Sequence, residues 1–162
     1  MKWKDLEYRA IDIEESAVDL LLNTMRGLYI NGGVIFKCFQ PEDDAAFELV
    51  ASTDLQGMDH IFLTFLSRRS VRKLVPELWP EEQGDQPPTF RYVSAFCMEG
   101  HLTHLLLAGG AYKEFNGTVD DARTLSRNFT EALFGDRFRS VSVATSNQPW
   151  TAWFYDIACD ST

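Results

Sequence analysis

The stretch Phe90-Arg91-Tyr92-Val93-Ser94-Ala95-Phe96-Cys97-Met98-Glu99-Gly100-His101-Leu102-Thr103-His104-Leu105-Leu106-Leu107-Ala108 decides the fold. Its apolar residues lie on both sides of a polar pair, Glu99-Gly100, which suits a turn. Counting outward from Met98 opposite His101 gives a hairpin of strands 90–98 and 101–108. Tyr92, Ser94 and Phe96 then share one face with Thr103, Leu105 and Leu107. Val93, Ala95 and Cys97 share the other with Leu102, His104 and Leu106. Both faces are largely apolar, as in central strands covered on both sides.

Flanking segments supply two further hairpins. Val34–Gln40 and Ala45–Ser52 are joined by Pro41-Glu42-Asp43-Asp44, and pairing Gln40 with Ala45 sets Lys37 opposite Glu48 and Phe36 opposite Leu49. Residues 138–145 and 151–159 surround Ser146-Asn147-Gln148-Pro149-Trp150. Three helices separate these hairpins. The first covers 12–30, with Asp12 and Glu15 at capping-box spacing and Val18, Leu21, Leu22, Met25 and Leu28 at helical period. The second covers 57–75 before Pro76, although 60–66 alone also fits a strand. The third covers 119–134, with Thr118 and Asp121 as its capping box and Gly135 at its end. The expected architecture is a single α+β domain over 1–162, in the order α-β-β-α-β-β-α-β-β. It has a mostly antiparallel sheet of about six strands in three hairpins. The three units share no sequence pattern, so no repeat is assigned.

Composition narrows the function classes. The 162 residues carry 15 basic and 24 acidic side chains, a formal charge of −9. That balance argues against a nucleic-acid or anionic-membrane partner. No apolar run reaches the length of a membrane span, and no secretory signal is recognisable, so the expected compartment is the cytoplasm. Cys38, Cys97 and Cys159 are odd in number and widely spaced, which is no disulfide framework. Of the net charge, −7 lies in residues 1–60, where 12 acids face 5 bases. The later segment 76–89 adds Glu81, Glu82 and Asp85 around Trp79 in a proline-rich loop. Between these regions, Arg68, Arg69, Arg72 and Lys73 make one basic run, read as a solvated helix face.

Recognised catalytic and nucleotide-binding motifs are missing, so no catalytic residue and no cofactor is nominated. Cys97, His101 and His104 are ligand types for zinc, but structural zinc takes four ligands, and strand positions three apart point to opposite faces. No metal is therefore expected, although a helical 101–108 would bring both histidines to one side.

The leading expectation is a non-enzymatic protein-binding or inhibitory protein. Its fitting example is a bacterial cytoplasmic immunity protein that neutralises a basic, nuclease-type toxin. Glu42, Asp43, Asp44, Glu81, Glu82 and Asp85 would meet the partner's lysines and arginines, and Trp79 would anchor the contact. The alternative is a small enzyme or ligand-binding domain with a pocket in the sheet that uses Cys97, His104 or Asp156. The oligomeric state is left open.

Overall fold

A computed structural model describes residues 6–30, 33–43, 64–76 and 91–145. In chain order its elements are β1 (Tyr8–Ile11), α1 (Ser16–Leu28), β2 (Cys38–Pro41), α2 (Arg69–Leu74), β3 (Arg91–Ser94), α3 (Phe96–Ala108), α4 (Val119–Phe134), a 3-10 helix (Gly135–Ser140) and β4 (Ser142–Thr145). They fall into two compact units. The first takes in residues 6–12, 37–43 and 64–76, and the second 13–30, 33–36 and 91–145.

In the first unit β1 and β2 pair antiparallel, from Tyr8 opposite Pro41 to Ile11 opposite Cys38. Arg9 faces Gln40 across the ladder and donates from Nη2 to its Oε1 at 3.1 Å. Residues 64–67 are helical, Arg68 turns extended (φ −64°, ψ 138°), and α2 follows. Val75 leaves the helical region immediately before Pro76, because the proline ring crowds an α-helical residue ahead of it. Leu6, Leu66, Val71 and Val75 are buried. The Phe65 ring takes Tyr8 and Phe39 edge-on, with centroids 4.9 and 5.2 Å away. Such T-shaped pairs oppose ring edge to ring face and add to the area they bury.

The second unit is built on three helices. α1 buries Val18, Leu21, Leu22, Met25 and Leu28, the stripe its periodicity predicts. These pack with Leu106 of α3 and with Ala122 and Phe129 of α4 in one core. The start of α1 departs from expectation. Glu15, not Asp12, is the N-cap, and it makes no side-chain capping bond. Its carbonyl receives the Val18 and Asp19 amides at 3.0 and 3.1 Å, so the backbone alone opens the helix. Asp19 in the first turn and Arg26 in the last still complement the helix dipole.

α4 has the predicted limits and the predicted cap. Thr118 Oγ1 accepts from the Asp121 amide at 3.1 Å, and Asp121 Oδ2 accepts from the Thr118 amide at 2.8 Å. These bonds hold the Asp121 carboxyl below its ordinary range, the Thr118 main-chain donor contributing most. Two hydroxyls inside the helix are fully buried and satisfied locally. Ser126 donates to the Ala122 carbonyl and Thr130 to the Arg127 carbonyl, each at 2.9 Å. Gly135, at φ 50°, ends the helix.

The expected six-strand sheet of three hairpins is not observed, and the central hairpin is replaced by a strand and a helix. The described strands make two separate two-stranded antiparallel pairs, β1 with β2 and β3 with β4. In the central stretch only Arg91–Ser94 is strand, and 96–108 is helix. Glu99-Gly100 is therefore an interior helical turn. The physical reason lies in the composition. A run that is apolar on both strand faces is also apolar around a helix, so periodicity cannot separate the two. Its leucines and methionine favour the helix. The Ser94 hydroxyl accepts the Phe96 amide at 3.3 Å, where the chain passes from β3 into α3.

Residues 142–145 pair with 91–94, Ser142 opposite Ser94 and Thr145 opposite Arg91. Residues 138–140, expected in strand, belong to the 3-10 helix. There Phe138 stacks on Phe96 (5.2 Å, 19°) and meets Phe134 edge-on (5.5 Å). β2 finds its partner in β1, and the expected partner segments 45–52 and 151–159 lie outside the described residues.

Close backbone approach explains the glycine pair after α3. Gly109 has φ 67°, and a Cβ on Gly110 would run into the Leu28 carbonyl at the end of α1. The Gly110 amide instead donates to the Lys113 carbonyl at 2.9 Å.

Candidate interaction surface

The acidic surface expected from the sequence is partly within view. Glu42 follows β2 directly, and its amide donates to the Glu7 carbonyl at 3.0 Å. The bond extends the β1–β2 ladder by one step and sets Glu7 beside Glu42. Both residues are exposed, and half-buried Asp43 continues the chain from them. Glu7 Oε2 accepts from Ser70 Oγ of α2 at 3.4 Å. The acidic edge therefore adjoins the basic run, of which Arg69, Arg72 and Lys73 are exposed and Arg68 is half-buried. In the same unit, burial pushes the Tyr8 phenol up, while the Arg68 charge pulls it back. Asp44, Trp79, Glu81, Glu82 and Asp85 lie outside the described residues, as do Asp156 and Cys159.

The three candidate ligands of the central stretch change their relation. Cys97, His101 and His104 sit on α3, not on paired strands, and all three are exposed. Cys97 and His104 are seven residues apart, a rise of about 10.5 Å along a helix. A thiol and a base acting together need contact at roughly 3 Å. The shared strand face expected for Cys97 and His104 is thus replaced by two positions two turns apart on one helix. Among the described residues, no three His, Cys, Asp or Glu side chains come together to hold a metal ion. Cys38 is half-buried in β2, and burial raises its thiol pKa.

No protein family, curated protein or solved structure matches this chain. Among the described residues no helix is long and apolar enough to cross a membrane.

Two features of the surface escape sequence reading. Glu7 joins Glu42 through a pairing of two segments distant in the chain, which no local pattern announces. The outward face of α3 carries Phe96, Cys97, Gly100, His101, His104, Leu107 and Ala108, all exposed, with no Lys, Arg, Asp or Glu among them. The inward side holds buried Thr103 and Leu106 and half-buried Met98, Leu102 and Leu105. The helical period that separates these two sets appears only once the segment is known to be a helix.

Proposed function

We propose that this chain is a non-enzymatic binding protein that captures a basic protein on an acidic surface. The reading extends to an inhibitor of a nuclease-type toxin, acting in the bacterial cytoplasm as an immunity protein. The observation that supports it is the Glu7–Glu42 juxtaposition. Two exposed carboxylate residues emerge side by side at the end of the β1–β2 ladder, and Asp43 follows. Nuclease grooves are basic because they hold phosphates, so carboxylates on a rigid edge are suitable mimics. The reading also assigns partner contacts to Asp44, Glu81, Glu82 and Asp85, with Trp79 as the anchor.

The test begins with tagged full-length chain, used to capture partners from the native host for identification by mass spectrometry. The captured protein is then purified and its nuclease activity assayed with and without the chain. A basic partner whose activity is suppressed supports the reading. Association of a Glu42→Lys/Glu81→Lys/Glu82→Lys variant should be at least about tenfold slower at low salt, with a flatter salt dependence. A tight partner bound equally well by that variant removes the site assignment. An acidic partner, or one without inhibited activity, removes the inhibitor reading.

A further inference from the structure

The uncharged face of α3 holds two metal-ligand side chains at the spacing a helix brings together. Cys97 and His101 are four residues apart, so their Cβ atoms lie about 6 Å from each other on one face. Metal–sulfur and metal–imidazole bonds of about 2.3 and 2.0 Å span that gap with ordinary rotamers. Both residues are exposed, and Cys97 is a free thiol. Gly100 lies on the same face, and even an added Cβ there would have nothing within 4 Å. Gly100 itself adds no side chain to this face. The exposed neighbours Phe96, His104, Leu107 and Ala108 bring no ammonium or guanidinium to repel a cation. The nearby Arg127 is engaged with Glu99 at 3.5 Å.

We propose that Cys97 and His101 form a two-ligand site for a borderline or soft divalent transition metal of the zinc class. The thiol proton passes to solvent as the thiolate coordinates, and the imidazole binds as the neutral ring. Two tetrahedral positions remain for water or for a group from a bound molecule. His104 lies one turn beyond His101 and seven residues from Cys97, too far along the helix to share one ion with the thiolate. The site is independent of the acidic surface proposed above.

The experiment uses full-length reduced chain titrated with Co2+ alone. Thiolate-to-cobalt charge-transfer absorption reports sulfur ligation, and Zn2+ competition follows its loss. One equivalent of Co2+ should bind with that absorption, and Zn2+ should displace it. Cys97→Ser should abolish the band. His101→Ala should weaken binding at least about tenfold, since even outer-shell partners of metal ligands are worth that much. His104→Ala should change it little. These positions are exposed, so the variants should fold, which far-ultraviolet circular dichroism checks, with His101→Asn as a second variant. The proposal is overturned by a band that survives Cys97→Ser, by loss with His104→Ala but not His101→Ala, or by no Co2+ binding below millimolar concentration.

Discussion

The Tyr29 hydroxyl donates to the Leu105 main-chain carbonyl at 2.7 Å and ties the end of α1 to the last turns of α3. Leu105 O also receives the Gly109 amide at 3.2 Å, so the phenol adds a second donor to an oxygen that already has one. Removing the hydroxyl leaves no orphaned carbonyl. Tyr29→Phe should therefore cost only about 1 kcal/mol, the net worth of one ordinary hydrogen bond. Urea unfolding of the two proteins, compared at equal m-value, measures it.

The same residue sets a pH dependence. Burial raises the Tyr29 phenol above its ordinary value, and burial is also the larger influence on Tyr8. A raised folded-state pKa means the native chain holds its proton longer than the unfolded chain does. The stability this contributes is fully present below the unfolded value near 10 and is lost as pH rises through the folded value. Unfolding free energy should fall on going from neutral pH to above pH ~10, and less steeply in Tyr29→Phe. Denaturant midpoints across that range test the slope. An unchanged slope in Tyr29→Phe would leave Tyr29 without a part in it.

At the other end of the titration range, Asp121 is held below its ordinary range by the Thr118 amide and hydroxyl. Its contribution is present above the unfolded carboxylate value and is lost as pH falls through the depressed folded value. Thr118→Ala removes the hydroxyl partner and leaves the amide. The Asp121 pKa should rise part of the way toward normal, which carboxyl chemical shifts in an NMR titration would follow. Acid unfolding should begin at a higher pH in the variant.

Helix α1 offers a paired test of the core. Leu21 is fully buried, whereas its neighbour Leu20 is 55% exposed. Leu21→Ala should cost about 2–5 kcal/mol through lost burial and the cavity left behind. Leu20→Ala should stay within about 0.5 kcal/mol. Thermal and urea unfolding would separate the two. Similar losses at both positions would mean that α1 does not face the core as described.

Gly110 tests the contact between the end of α1 and the turn after α3. A Cβ at this position meets backbone, the Leu28 carbonyl, and no flexible side chain can yield. Gly110→Ala should destabilise by about 1–3 kcal/mol, as overpacking does. Gly100→Ala, with open space around its Cβ, should stabilise slightly through helix propensity. Opposite signs for the two glycines in urea unfolding are the expected result.

Two helices were legible in the sequence because their determinants are local. The cap and limits of α4 follow from Thr118, Asp121 and Gly135, all within one turn of its ends. The buried stripe of α1 is clear because its other residues are mostly polar, so the helical period stands out. The start of α1 was misplaced by the Asp12–Glu15 spacing, since a capping-box pattern requires the first residue itself to sit at the helix boundary. Of the candidate surface, Glu42 and Asp43 were named from charge alone, and Glu7 was not.

What tertiary structure decided was everything that local pattern leaves degenerate. The run 96–108 carries apolar residues on every side, so a strand and a helix bury it equally well on paper. It becomes helical where its inner face meets α4 and the Tyr29 hydroxyl. The partners of β2 and β4 were equally out of reach. Each is a four-residue strand with a short apolar pattern that fits many registers, and each pairs with a segment far away in the chain, β1 and β3. The sequence alone determines where charge collects and where amphipathic helices begin. Only long-range pairing determines that Glu7 stands beside Glu42, because a main-chain hydrogen bond carries no side-chain signature.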